Sequence, residues 1–330
     1  MKGKGQMIHD VKKFFGLEKE FRNADFFETE NYRMIFQDVV SAIKEGHIIA
    51  ITGIVGSGKT ITARRIRKDL QKRNEVLVST NLAVDKIRVN LGTLMFALFS
   101  DLITDKSDKI PTKLEFRERQ FMELIKRRKK PVALFIDEAH DLHHNTLKGL
   151  KRLQEIGQEA NSLLAIVLIG HPKLSIDLNR PAMEEIGGRT TVLNMDGIRG
   201  SERPYIEWLL TQCLSKKTKP SDVFTQKAID YMAEKFSTPL QINHYAWNSL
   251  VKAHRIGLKP VDLNTLKEII SDDLNGIEAN LKRHGYNIKA ISETVDARPA
   301  EIRSFFKGRL ASSRAQEIQN EILKLGIAGT

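Results

Sequence analysis

The residues best suited to chemistry stand in the run 53–60 (GIVGSGKT), which has the spacing G-x-x-x-x-G-K-[ST]. An apolar run at 47–52 favours a buried strand before it, and residues 61–72 have the apolar spacing of a helix after it. The glycines let the backbone curl, so that its N–H groups and the helix N-terminus face an anion. We therefore predict an ATP-binding loop formed by Gly53, Val55, Gly56, Ser57, Gly58, Lys59, Thr60 and Ile61. Lys59 is predicted to reach the β- and γ-phosphates, and the Thr60 hydroxyl to bind Mg²⁺.

An acidic pair forms the second candidate motif, in residues 133–142 (ALFIDEAHDL). The apolar run Val132–Ile136 predicts a buried strand that delivers Asp137 and Glu138 to its carboxyl end, where ligands bind in parallel sheets. Such a pair is a weak signal alone and a strong one after a phosphate-binding loop. Asp137 is predicted to hold Mg²⁺ through its water shell, and Glu138 to polarise the attacking water as general base.

Two further side chains are candidates for the same site. His171 follows the apolar run 163–169, predicted to be a strand beside the strand of Asp137, so it is placed to sense the γ-phosphate or the attacking water. A structural histidine at a strand end is the alternative. Arg189 precedes a short predicted strand and could reach a neighbouring subunit's γ-phosphate. Arg180 is its rival for that role, and a plain surface arginine is the third possibility.

The composition limits the class of protein. The chain has 330 residues, 41% of them hydrophobic, a net charge of +12 and a pI of about 9.6. This balance favours a polyanionic partner, nucleic acid before membrane surface, with a basic protein lacking such a partner as the alternative. Cys213 is the single cysteine, which excludes an intramolecular disulfide and fits a reducing cytoplasm. No apolar run approaches the roughly 20 residues of a membrane span, and no signal peptide is visible at the N-terminus.

The pattern of elements predicts an α/β fold with three parts. Residues 1–200 alternate predicted strands and helices and form the nucleotide-binding domain with an N-terminal helical extension. Residues 201–275 show helical patterns throughout and predict an all-α lid. Residues 276–330 predict a tail in which a helix, a short turn, a second helix and a supporting helix follow one another, the helix-turn-helix pattern.

The tail is locally basic. Residues 298–314 hold five Lys or Arg and one acid, Glu301. Arg298, Arg303 and Lys307 stand on or beside the predicted second helix, so a DNA-recognition helix is one interpretation. A small helical bundle that binds protein or only packs is the other.

The order of the motifs resembles the AAA+ ATPases of the secretion-ATPase (ExeA-like) and transposition-regulator group. GIVGSGKT, ALFIDEAHDL, LLAIVLIGHPKL and GGRTTVLNMDGI follow one another, and the FFGL run stands well upstream of the loop. Secretion members carry a membrane span and a cell-wall-binding region, and neither is visible here. The small, basic chain with its tail looks more like the Mu B, TnsC and TniB proteins.

This resemblance implies an AAA+ parallel-sheet ATPase that uses ATP to assemble on duplex DNA as a ring or helical filament. It also implies recruitment of a transposase, with a target-selection protein as a further partner, and Arg189 as the arginine finger. Lys86 and Arg88 are the predicted DNA contacts of the core. The chain departs from many relatives in its lid, where residues 237–243 (STPLQIN) have no arginine and Gln241 stands instead. An assembly ATPase acting on protein and an ATP-switched DNA-binding regulator are the alternatives.

Overall fold

The computed structural model describes residues 2–81, 89–103, 110, 113–270 and 276–326. Its strands are β1 (Ile48–Thr52), β2 (Leu77–Asn81), β3 (Val132–Ile136), β4 (Leu164–Gly170) and β5 (Thr190–Asn194). Its helices up to β5 are α1 (Lys2–Phe15), α2 (Glu30–Glu45), α3 (Lys59–Arg73), α4 (Leu91–Leu102), α5 (Leu114–Arg128), α6 (His144–Glu159), α7 (Pro172–Leu178) and α8 (Glu184–Gly187). The helices after β5 are α9 (Glu202–Cys213), α10 (Gln226–Lys235), α11 (Pro239–Arg255), α12 (Leu263–Lys267), α13 (Ile277–Arg283), α14 (Ile288–Thr294), α15 (Pro299–Phe306) and α16 (Ser312–Leu323).

The chain forms two compact units. The first contains the described parts of residues 1–29, 55–57 and 196–330, and the second those of 30–54 and 58–195. The tip of the predicted phosphate loop, 55–57, therefore groups with the helical unit, while the loop's flanks belong to the sheet unit. The predicted division into 1–200, 201–275 and 276–330 stays a prediction.

The second unit is built on one five-stranded sheet in which every neighbouring pair is parallel. The strand order is β2-β3-β4-β1-β5. Strands β1, β3 and β4 are buried along their whole length, as expected for parallel strands covered on both faces. The adjacency of β3 and β4 confirms the predicted placement of His171's strand beside that of Asp137, and the α/β fold class is confirmed.

Helices cover this sheet with their apolar stripes. In α6, Leu147, Leu150, Leu153 and Ile156 recur at helical spacing and are almost fully buried in the core of the second unit. Helix α3 ends at Asn74, whose left-handed backbone (φ 55°) stops the helix before β2. The apolar face of α6 positions that helix against the sheet. The cap at Asn74 sets where α3 stops and the chain turns towards β2.

The first unit is helical and has its own core. Phe15 and Phe21 of the N-terminal segment pack with residues of α9 to α12, among them Leu209, Met232 and Leu250. Isolated bridges join Leu17 to Leu214 and Phe224 to Val261, and the described residues of this unit form no longer strand. The predicted helices of 201–270 are present, with boundaries shifted by a few residues.

The tail contains the predicted succession of short helices. Pro299 begins α15, and the backbone N–H of Arg298 donates to Glu301 Oε2 (2.8 Å), which caps that helix. Ile302 is fully buried, whereas Phe305 and Phe306 on the same helix are half-buried. Arg314 of α16 holds Glu301 through Nε (3.3 Å). Helices α14, α15 and α16 therefore form a connected small bundle.

No helix in the described part of the chain combines the length and the apolar character needed to cross a bilayer.

Candidate active site

The phosphate loop connects β1 to α3, as predicted. Gly58 has a φ of +102°, a conformation that side chains with a Cβ rarely adopt, and it directly precedes the first turn of α3. No side chain caps that helix end, so the N–H groups of Lys59, Thr60 and Ile61 are oriented as they would be for an anion. A Cβ on Gly56 would lie 2.5 Å from Leu240 Cβ, so glycine is required there on steric grounds as well.

Polar groups of the loop fit a nucleotide phosphate. The Ser57 hydroxyl is buried and has no hydrogen-bond partner among the described residues. Lys59 is almost fully buried, and its Nζ donates to the Ile54 carbonyl (2.9 Å). Burial lowers the pKa of Lys59 to about 8, and the charges of Glu138 and Asp137 oppose that shift. A phosphate beside Lys59 would add negative charge and favour its protonated form.

The acidic pair lies where the sequence predicted. β3 ends at Ile136, and Asp137 and Glu138 follow at its carboxyl end. Asp137 Oδ1 accepts the backbone N–H of Glu138 (3.0 Å). Glu138 has a left-handed backbone (φ 54°), which turns the chain sharply and leaves its carboxylate about half exposed. Carboxylate and hydroxyl oxygens are the ligands that Mg²⁺ prefers, and Asp137 and the exposed Thr60 provide them.

His171 stands at the end of β4 and contacts the acidic pair. Its Nε2 lies 3.7 Å from Glu138 Oε2, and its ring packs edge-to-face on His140, with centroids 4.1 Å apart. Burial lowers the pKa of both imidazoles to about 4, helped by repulsion from Lys173 and Lys59 at His140, and from His140 and Lys59 at His171. Both rings are therefore neutral at pH 7. They can exchange protons or hydrogen bonds with water but add no positive charge.

Arg189 lies away from this cluster. It immediately precedes β5, and the register pairs Thr190 with Ile48 and Asn194 with Thr52. Arg189 is therefore beside the start of β1, whereas the phosphate loop follows its end, roughly 13 Å further along the strand. Its side chain is exposed. Its rival Arg180 is held by Asp177 (3.1 Å), which also pairs with Lys173 (2.5 Å).

The remaining predicted contacts divide into two sets. Arg298, Arg303 and Lys307 are exposed on the tail, with Arg303 on α15 itself. Lys86 and Arg88 lie outside the described residues.

Gln241 stands in the first turn of α11, and its Oε1 accepts hydrogen bonds from the Ser237 N–H (3.2 Å) and the Thr238 hydroxyl (3.3 Å). Its side-chain oxygen therefore serves the helix cap.

Two residues near the site were missed by sequence reasoning. His140 was visible in the same motif as Asp137, and the predicted adjacency of β3 and β4 implied that it would lie close to His171. Arg283 could not be found from the sequence, because it contacts the loop through its backbone and any residue type would supply the same atom. Its carbonyl accepts a hydrogen bond from the Val55 N–H (3.0 Å). The guanidinium of Arg283 donates to Asn280 Oδ1 (3.1 Å).

Comparison with known protein families supports the class of this site. Residues 42–176 match the family model described as AAA domain. The match spans β1 to β4, the phosphate loop, the acidic pair and His171. The parallel sheet order agrees with this match, which gives residues 42–176 the fold of an AAA domain.

Individual relatives are more distant. The chain is similar to general secretion pathway protein A of Aeromonas hydrophila, with 26% identity over 148 residues. That alignment covers 44% of this chain and only 26% of that protein. The chain therefore matches about a quarter of the length of this curated relative.

Two solved structures have a similar fold. The Aeropyrum pernix ORC2 protein, in ADPNP–ADP complexes, has a TM-score of 0.55 at 12% identity, covering 94% of this chain and 91% of that one. Cdc6p from Pyrobaculum aerophilum has a TM-score of 0.52 at 14% identity, covering 96% and 90%. At these identities the likeness concerns the fold alone.

Replacement of Lys59 by Ala tests the loop as a nucleotide site. We expect nucleotide affinity to fall by tenfold or more, because the buried ammonium would no longer balance the phosphate charge. Titration with a fluorescent ATP analogue measures this affinity. Lys68→Ala, which removes an exposed charge from the same helix, is the matched control. Equal affinities for the two variants would contradict the assignment.

Proposed function

We propose that the chain hydrolyses ATP at the phosphate loop. The N–H groups of the loop, the Ser57 hydroxyl and Lys59 bind the phosphates. Thr60 and Asp137 would hold Mg²⁺, which would supply positive charge beside the γ-phosphate. Glu138 accepts a proton from the attacking water as general base, and His171 (3.7 Å from Glu138) orients that water or reads the γ-phosphate. The buried strands behind these residues exclude competing water from one side.

We also propose that the chain acts as an oligomer. The observation that supports this is the position of Arg189 relative to β1. Arg189 precedes β5 beside the start of β1, at the opposite end of the strands from the phosphate loop. An arginine side chain does not span that distance, so Arg189 cannot serve its own site. Its exposure and its position before the edge strand β5 support the proposal that Arg189 enters the site of a neighbouring subunit. Arg180, by contrast, is engaged by Asp177.

Duplex DNA is the proposed ligand of the ATP-bound oligomer. The net charge of +12 favours a polyanion, and the exposed Arg298, Arg303 and Lys307 add a basic surface on the tail. Contacts to phosphates give affinity without sequence preference, since the backbone charge is the same at every step. Lys86 and Arg88 are proposed as further contacts.

The proposed biological role is regulation of DNA transposition. The succession of motifs, with GHPKL after β4 and GGR before β5, supports this role through its resemblance to the transposition regulators. In this reading the protein marks target DNA in its ATP state and recruits or stimulates a transposase, with a target-selection protein as a further partner. Hydrolysis then releases the assembly from DNA.

A protein-directed ATPase is the second candidate. The observation in its favour is the 26% identity with general secretion pathway protein A. The alignment covers 44% of this chain and 26% of that protein, so the activity of the whole relative is a proposal here. This candidate predicts assembly that depends on a protein partner and not on DNA.

Electron microscopy with duplex DNA separates the two candidates. We expect rings or filaments on DNA with a slowly hydrolysed ATP analogue and none with ADP. Glu138→Gln should lower hydrolysis by about 10²–10⁴-fold, because the general base is lost, and should keep these assemblies on DNA in ordinary ATP.

The exposed Glu234→Gln removes the same charge elsewhere and serves as the control. Control protein should disassemble as ATP is consumed. Absence of DNA-dependent assembly in every nucleotide state would contradict the proposal and favour the protein-directed ATPase.

Replacement of Arg189 by Ala tests the shared site. Hydrolysis should fall about 10³-fold or more, with nucleotide affinity unchanged, because the finger acts on charge that develops in the transition state. Arg180→Ala should leave turnover near wild type. A mixture of Arg189→Ala and Lys59→Ala subunits should regain activity, since some interfaces combine an intact loop with an intact finger. A mixture as inactive as its components would rule out action between subunits.

The tail is tested by replacing Arg298, Arg303 and Lys307 together with Ala. DNA affinity should fall similarly for all sequences, and the slope of log K against log salt should fall by about 3, one for each lost phosphate contact. Fluorescence anisotropy at several salt concentrations measures both. Replacement of the exposed Lys216, Lys217 and Lys227 removes equal charge and is the control. Equal losses in the two variants would contradict a specific tail contact, and loss on one DNA sequence only would favour the DNA-binding regulator.

A further inference from the structure

We propose that Glu138, His140 and His171 form a binding site for a transition-metal cation, with Zn²⁺ as the natural ligand. Each residue offers one ligand atom, and the three atoms lie within 4.8 Å of one another. This site is distinct from the proposed Mg²⁺ site at Thr60 and Asp137. No family property assigns it, and it follows from the residues that the ends of β3 and β4 bring together.

The distances fit tetrahedral zinc. Zinc binds imidazole nitrogen at 2.0–2.1 Å and carboxylate oxygen at 2.0–2.2 Å, so neighbouring ligand atoms lie roughly 3.3–3.5 Å apart in a tetrahedron. His140 Nδ1 is 3.4 Å and His171 Nε2 is 3.7 Å from Glu138 Oε2. All three ligand atoms lie within 4.8 Å of one another, so shifts of up to roughly 1.5 Å bring them to tetrahedral spacing. Glu138 is the most exposed of the three residues.

The two histidines are held by the fold. His140 stands in the 3-10 turn 139–141 after β3, and His171 directly follows β4, so the pairing of these strands fixes the rings edge-to-face. The side chains of His140 and His171 are 8% and 15% exposed, and that of Glu138 is 52% exposed. The cluster is thus closed on the histidine side and open on the carboxylate side. A cation can enter there and keep water as its fourth ligand.

The surroundings support coordination by His140. Its Nε2 lies 3.8 Å from Asp141 Oδ1, close to the carboxylate–histidine arrangement that orients metal-binding imidazoles. Its Nδ1 accepts a long hydrogen bond from the His171 backbone N–H (3.5 Å), so little is lost when a metal replaces that contact.

The donor set selects among cations. Two imidazoles and one carboxylate suit zinc, cobalt or nickel, whereas Mg²⁺ prefers six oxygen ligands and holds water strongly. Cellular Mg²⁺ would therefore not fill this site. Selectivity of this kind lets one edge of the sheet hold two different cations.

A cation bound at this site would inhibit ATP hydrolysis reversibly, and we call this inhibition the brake. The inference rests on the proposed role of Glu138 as general base. A cation on Glu138 Oε2 occupies the lone pair that would accept the proton of the attacking water. ATP would still bind, because the loop and Lys59 are not ligands. Zinc would therefore hold the protein in its ATP-bound state.

Cobalt absorption tests the site directly. Tag-free protein, titrated with Co²⁺, should give the intense visible bands of tetrahedral cobalt, and Zn²⁺ should abolish them. His140→Gln and Glu138→Gln should each weaken cobalt binding by tenfold or more, with His144→Gln, an exposed neighbour, as control. Circular dichroism checks the folding of each variant. Equal bands in the control and in both site variants, or no bands in the wild type, would overturn the site.

Zinc inhibition tests the brake separately. In wild-type protein, ATP turnover should fall with the same zinc dependence that displaces cobalt, while the affinity for a fluorescent ATP analogue stays unchanged. Displacement of cobalt without any loss of turnover would overturn the brake and the role of Glu138 as base, and would leave the metal site standing.

Discussion

The parallel pairing of β1, β3 and β4 decides where the charged groups of this protein lie. These strands are buried throughout, so the side chains along them must be apolar, and polar residues first occur where each strand ends. Because the strands run in the same direction, their ends meet at one edge. Gly53, Asp137 and His171, far apart in the sequence, are brought together by this register alone.

Burial at that edge then shapes the electrostatics. Lys59 and two histidines are partly withdrawn from water, which disfavours their charged forms and leaves Asp137 and Glu138 to define the local field. A site with neutral imidazoles beside a carboxylate suits work on water and metal cations. A cluster of cationic imidazoles would instead bind phosphate, which is the role proposed for the loop.

Much of this arrangement could be predicted from the sequence. The loop, the acidic pair and His171 each follow an apolar run. The apolar run before the loop and the helical spacing after it also predict its strand–turn–helix context. The helices of 201–270 were predicted as well, because their apolar spacing is regular. Strand β2 continues to polar Asn81, because its ladder with β3 extends that far. The local sequence pattern does not indicate the residue at which the pairing of two strands ends.

Other features had no local signal. Gln241 stands where many relatives have an arginine, and its side-chain oxygen accepts hydrogen bonds at the start of α11, a contact that only the turn geometry determines. The packing of His140 on His171 depends on strand order, and the contact between Arg283 and the phosphate loop depends on backbone atoms that any residue would supply. The roles of Arg189, the tail arginines and the loop residues remain predictions.

The hydrogen bond from the Val55 N–H to the Arg283 carbonyl joins the tip of the phosphate loop to the end of α13. A chain shortened before α13 loses the acceptor of that loop amide together with every basic residue of the tail. Such a truncation would alter the loop and remove the proposed DNA contacts of the tail at once, and its effects on the two could not be separated. Point substitutions on the exposed face of the tail leave the loop amide bonded and keep the two effects apart.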